Sequence, residues 1–185
     1  MSICTALVGI PKDCGDNNLG AIKRAIIGSF EDVLTLTVTD TSNADTDGEI
    51  TAVTRTVGTS FDDFPLTKDT SMFSQELVVD LVADVNSYSQ TVELGFRRID
   101  LRKRNAIMLL ASGRRDLIVA VEDNNGDWWV LGTDQGMRLS ASSMVTNNTR
   151  SAGQQVPVTL LSENERYMMY KISAVLAEGL LVTQA

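Results

Sequence analysis

Residues 73–97 constrain this chain more than any other stretch, because they alternate. From Phe73 to Asp84 the odd positions Phe73, Leu77, Val79 and Leu81 are apolar. The even positions Ser74, Glu76, Asp80 and Asp84 are polar. From Tyr88 to Arg97 the even positions Tyr88, Val92, Leu94 and Phe96 are apolar, and Ser89, Thr91, Glu93 and Arg97 take the other face. A period of two belongs to a strand with one face on a core and the other toward water. The break at Val85-Asn86-Ser87 joins the two runs into one long antiparallel hairpin.

Strand signals recur along the chain. Leu34 to Thr39 alternates strictly, with Leu34, Leu36 and Val38 on one face and three threonines on the other. Glu49 to Val57 is rich in Thr and Val. Leu117–Val121 and Trp128–Leu131 flank Asn124-Asn125-Gly126-Asp127, whose Asn-Gly pair suits a tight turn with positive φ. Met137–Ser142, Val156–Leu161 and Tyr167–Ile172 are further strand candidates. Leu176–Val182 is apolar and too short to assign.

One helix is clearly signalled. Asp100 is a natural N-cap, Leu101–Ser112 is rich in helix formers, and Gly113 stands where a helix-ending glycine belongs. Ala106, Ile107, Leu110 and Ala111 share a face. These patterns predict a mainly β single domain over residues 1–185. Its expected form is an antiparallel β-barrel or sandwich with one principal α-helix at about 100–112 and a long hairpin at 73–97.

The net charge of −8 is unevenly spread. Residues 1–96 carry 15 acids against 5 bases, and residues 116–185 carry 8 against 4. Residues 97–115 reverse the balance, with Arg97, Arg98, Arg102, Lys103, Arg104, Arg114 and Arg115 against Asp100 alone. Nucleic-acid readers are basic overall and interleave aromatics with their bases. This segment has only Phe96 beside it. Arg102, Lys103 and Arg104 crowd the helix N-terminus, where cations oppose the macrodipole. That placement points to acidic partners outside the helix.

Catalytic chemistry finds little here. The chain has no histidine, which removes His-based triads and the commonest general base. Gly15 to Gly20 has the outer spacing of a phosphate loop, but Ala21-Ile22 stands where Lys-Ser/Thr is required. Asn43 to Gly48 matches the opening of a calcium loop, yet its twelfth position is Thr54 where a bidentate Glu belongs. Asp62-Asp63 reads as a pair of solvated loop acids. Trp128-Trp129 places its rings on opposite faces of a strand, one in the core and one at a surface or interface. Cys4 and Cys14 are compatible with two thiols or with a bond closing a small loop. The expectation is a non-enzyme with no cofactor and no metal. Met1–Gly9 lacks a basic targeting start, and no apolar run nears the roughly 20 residues of a membrane helix. Both point to a soluble, cytoplasmically made protein.

Several segments in order carry a resemblance. The opening Cys4-Thr5-Ala6-Leu7-Val8-Gly9-Ile10-Pro11-Lys12-Asp13-Cys14 leads into Gly20–Arg24 and Phe30–Val33. Phe73-Ser74-Gln75-Glu76-Leu77 follows with its partner Tyr88-Ser89-Gln90-Thr91-Val92. The last segment runs from Asp123 through Trp128-Trp129 to Leu139. This order resembles tail-tube-like structural proteins of tailed phages and prophages of Bacteroidetes hosts, including the crAss-like phages. The departures lie after Leu139, where Thr146–Gln155 and Val156-Pro157-Val158-Thr159-Leu160 replace a Gly-rich end.

The resemblance implies a virion subunit made in the bacterial host cytoplasm and placed in the tail or neck. It implies a tail tube or tail hub ring, six-fold or a multiple of six, that meets other phage tail or neck proteins and passes DNA without binding it specifically. The alternatives are a neck or connector ring, or a carbohydrate- or host-surface-binding β-module motivated by the Trp pair and the polar loops. On the ring reading, Glu76, Asp80, Asp84 and Glu93 line the channel. Arg97, Arg98, Arg102, Lys103 and Arg104 make inter-subunit contacts, with acids such as Asp62-Asp63 or Asp45-Asp47 of a neighbour as partners.

Overall fold

The computed structural model describes residues 20–39, 47–67, 69–80, 85–112, 115–146 and 154–182. Cys4, Cys14, Asp84, Gly113, the Gly15–Asn18 part of the glycine-rich loop and Asn43–Thr46 of the calcium-like loop fall outside them.

Eleven strands and two helices are described. They are β1 (Ile22–Ser29), β2 (Val33–Val38), β3 (Glu49–Arg55), β4 (Asp62–Pro65), β5 (Met72–Asp80), β6 (Val85–Arg97), α1 (Leu101–Ser112), β7 (Leu117–Asp123), β8 (Trp128–Leu131), β9 (Arg138–Ser142), β10 (Gln155–Glu165), β11 (Tyr170–Ile172) and α2 (Ala174–Gly179). They form two sheets. The large sheet has the order β2-β3-β11-β8-β7-β1-β4, and the small sheet has the order β5-β6-β10-β9. The small sheet is antiparallel throughout. The large one is mixed, because β11 runs parallel to β3. Of the two expected forms, the described residues show two sheets packed against each other and no closed barrel.

Strand β7 explains the layering. Leu117 to Val121 are five consecutive buried residues, so both faces of this strand are covered. Leu117, Val119 and Val121 pack with Ile22 and Ala25 of β1 and with Val92, Leu94, Val156, Val158 and Leu160 of the small sheet. Ile118 and Ala120 point the other way, into a second core with Ile26, Phe61, Trp128, Val130, Tyr170 and Ile172. Helix α2 closes this second core with Ala177, while Leu180 follows just beyond its end. The buried Arg55 guanidinium holds the helix end in place. It donates to the carbonyls of Gly179 at 3.1 Å, Leu180 at 2.8 Å and Val182 at 2.9 Å, as a cation at a helix C-terminus should.

Several local expectations need correction. A register shift between Val33 and Thr35 turns Leu34 outward, so Val33, Leu36 and Val38 pack on the second core instead of Leu34, Leu36 and Val38. Asp62-Asp63 is not a loop pair. It opens edge strand β4, paired with β1, and Asp63 accepts from Arg24 at 2.8 Å. The turn between β7 and β8, Asn124 to Asp127, is four residues long and carries positive φ at Gly126 alone, because the Asp123 carboxylate accepts from the Asn125 and Asp127 amides.

Burial in the second core pushes the Tyr170 hydroxyl pKa up to about 12 from its ordinary 10. The unfolded chain therefore ionises first, and folding stability falls as pH rises from about 10 through about 12. Thermal melting across that window should show the fall. A Tyr170→Phe variant should flatten it, and an unchanged slope in that variant would contradict the assignment.

Candidate assembly surface

The small sheet carries the hairpin read from the sequence. Register pairs Phe73 with Val92, Gln75 with Gln90 and Leu77 with Tyr88, so these residues face the core side. The opposite face holds Met72, Ser74, Glu76, Val78 and Asp80 from β5, and Val85, Ser87, Ser89, Thr91 and Glu93 from β6. Glu76, Asp80 and Glu93 therefore share one face. Glu76 and Asp80 stand about 13 Å apart along their strand.

The chain at Thr70 and Ser71 crosses this face at Gly95. The Thr67 amide donates to the Gly95 carbonyl, and the Gly95 amide donates to Ser71 Oγ at 2.8 Å. A Cβ at Gly95 would lie 2.3 Å from Thr70 Oγ1, so only glycine permits the crossing. The crossing divides the face. The three carboxylates lie on one side, and Arg97, which alternation puts on the same face, lies beyond it.

Among the described residues no strand pairs with the outer edge of β5 or of β9. The hairpin also outruns its support. Strand β10 follows β6 only as far as Tyr88, opposite Glu165. Past that point Val78, Val79 and Asp80 pair with Ser87, Asn86 and Val85 alone. Leu77, Val78, Val79 and Val85 are 49–54% exposed as a result. The expected alternation fails at Val78, which stands on the outer face between Glu76 and Asp80, so the described part of the hairpin beyond Tyr88 exposes aliphatic side chains on both faces.

Two buried polar residues hold the base of this hairpin, and neither was anticipated. Gln90 is fully buried. Its Nε2 donates to Gln75 Oε1 and to the Tyr167 carbonyl, both at 3.3 Å, and its Oε1 accepts from the Gly132 amide at 2.9 Å. Gln75 Oε1 also accepts from the Met169 amide at 2.7 Å. Glu165, equally buried, accepts from the Asp134 and Gln135 amides at 2.9 and 3.1 Å and from Ser162 Oγ. The available signal was Gln90 itself, a polar residue at an even position between Tyr88 and Val92. A buried amide is tolerated only when its hydrogen bonds are made.

The basic segment lies at the other end of β6. Asp100 caps α1 as expected, accepting from the Lys103 amide at 2.8 Å. Lys103 turns back to donate to the Arg97 and Arg98 carbonyls and pairs with Asp100. It is thus spent within its own subunit, which explains how a cation tolerates this helix start. Arg97, Arg98, Arg102 and Arg104 are exposed. Beside them α1 and β4 enclose a cleft of about 590 Å³, floored by Ile27, Phe64, Leu94, Phe96, Ile107 and Leu110. Asp62 and Asp63 line it together with Arg102 and Lys103, so these acids already face the basic segment within one subunit. Asp47, at the edge of the described residues, is exposed. Helix α1 buries Ile107 and Leu110 only partly and leaves Ala111, Leu101, Met108 and Leu109 exposed, so Ala111 does not join the inward face.

Trp128 is buried in the second core, and Trp129 packs partly buried on the first. The two rings make no common platform. Among the described residues no cluster of His, Cys, Asp and Glu is arranged to hold a metal ion. No described helix is long and apolar enough to cross a membrane. Neither a scan of protein-family models nor a search of curated sequences finds a match to the chain.

Replacing Gln90 by Ala removes the acceptor of the Gly132 amide and cuts the link to Gln75, which keeps only its bond from the Met169 amide. The expected cost is about 1–3 kcal/mol in chemical denaturation, together with faster amide exchange in β5. Unchanged exchange at the hairpin would contradict the anchoring role.

Proposed function

We propose that this protein is a non-enzymatic virion subunit of the phage tail-tube type, which closes into a ring around a channel for DNA. The observation that carries the proposal is the small sheet, which among the described residues has two unpaired edges and an outer face bearing Glu76, Asp80 and Glu93. Open edges invite pairing with another chain. Pairing β5 of one copy with β9 of the next continues the sheet from subunit to subunit.

The dimensions fit a passage for DNA. Six copies supply 24 strands, which at about 4.8 Å spacing and a tilt of about 40° close a barrel about 48 Å across. About 5 Å of side chain on each wall still leaves a lumen wider than a duplex. With the outer face inward, each of the three carboxylates becomes a ring of acids. Such rings repel phosphate, so DNA slides past without adhering. The hydroxyls of Ser74, Ser87, Ser89 and Thr91 keep the rest of the wall wetted. The divided Trp128-Trp129 pair removes one of the two features that motivated a carbohydrate-binding module.

Native mass spectrometry should give six chains of 20.1 kDa, or a multiple of six. A monomer at all concentrations overturns the proposal. The assembled protein should also leave duplex DNA unbound at about 0.1 M salt, whereas a Glu76→Lys, Glu93→Lys variant should assemble and bind DNA in a salt-dependent manner. Assembly of that variant without any gain in DNA affinity would place these residues away from the channel.

A further inference from the structure

The two walls of the α1–β4 cleft carry charges of opposite sign. Alternation along β4 sets Asp62 on the same face as Phe64, toward the first core. Asp63 bonds instead to Arg24, whose guanidinium lies over Trp128 of the second core. On the other wall Arg102, Ala106 and Leu110 stand at i, i+4 and i+8, and all three line the cleft. Most of the charge here is already matched. Asp63 has Arg24, Asp100 caps α1, and Lys103 is spent on Asp100 and on the Arg97 and Arg98 carbonyls. Asp62 and Arg102 are left over. Both are exposed, and among the described residues neither is in an ion pair. Between them Phe64, Phe96, Ile107 and Leu110 each keep part of their surface in water.

The helix is also attached in a way that lets it swing. Residues 98–100 join β6 to α1, and Arg98 has a φ of 63°, a left-handed conformation unusual for a residue with a β-carbon. Such conformations persist where neighbours hold them, and they gather in parts that switch. Here Gln154 Oε1 accepts from the Ile99 amide at 2.9 Å and fixes the pivot. Beyond the pivot no described side chain of α1 is fully buried. We propose that α1 is a lid, which turns about residues 98–100 and closes on β4, pairing Arg102 with Asp62 and drying Phe64 and Phe96. The open and closed forms differ by one exposed ion pair and a small apolar contact, so both are populated. Salt screens the pair and favours the open form. The lid gives a reason for Arg102 at a helix start where the macrodipole opposes it. It concerns a single subunit and stands whether or not copies assemble.

The test uses the full chain with Cys4→Ser and Cys14→Ser, and with Ala106→Cys as a reporter in the cleft wall. Closure shields this thiol, so its rate of reaction with a maleimide reads the open fraction. Raising salt from about 0.02 M to about 0.5 M should speed labelling about threefold, the size of effect that one exposed ion pair supplies. Arg102→Asp and Asp62→Arg should each label fast even at low salt, and the two changes together should restore the slow rate. The salt series keeps the natural charges, so it decides the matter even where a charge variant does not fold. Labelling that ignores salt overturns the lid. A folded double variant that stays fast also overturns it, because Arg102 and Asp62 are then not the latch. Protection that rises with protein concentration overturns it as well, since a neighbouring copy and not α1 would then cover the cleft.

Discussion

Burial of β7 on both faces is the constraint on which the rest of the molecule depends. Five successive apolar residues, Leu117 to Val121, cannot all be covered by one layer. Their odd members require the small sheet, and their even members require the α2 side. Everything that covers β7 is thereby committed inward. The small sheet gives its Val92–Leu94 and Val156–Leu160 face to the first core and turns its other face outward. A polar outer face on that sheet is thus a consequence of where β7 sits.

The same logic separates stable parts from presented parts. Arg55, Gln90 and Glu165 are buried polar groups whose hydrogen bonds are made, and each ties a strand to a loop or helix end. They fix the body from which the hairpin projects. The described part of the hairpin beyond Tyr88 and the outer side of α1 expose aliphatic side chains instead. Exposed strand edges and apolar tips are costly features for a solitary soluble domain. Their presence together, on an otherwise well-packed molecule, is what favours a role in assembly.

Much of this was legible in the sequence, for physical reasons that differ by element. Alternation revealed β5 and β6 because one face of each meets the core and the other meets water. Asp100 revealed α1 because a cap is a local interaction. Strand β1 escaped notice, because Ala25, Ile26 and Ile27 are buried in succession and leave no alternation to read. Strand β4 was hidden by its two acids, which an edge strand can present to solvent. Helix α2 is short and held by Arg55, 124 residues away from Gly179, a contact that no local pattern reports. Of the acids proposed for the channel, the shared face of Glu76, Asp80 and Glu93 followed from periodicity. The partnering of Asp63 with Arg24 depended on register between distant strands.

The central claim is that the small sheet continues across copies with its outer face toward an axis. An electron cryo-microscopy reconstruction of the assembled particle tests it most directly. The account predicts β5 of one copy hydrogen-bonded to β9 of the next, with Glu76, Asp80 and Glu93 pointing into the lumen. Carboxylates pointing away from the axis, or a channel wall built from the large sheet, would contradict it.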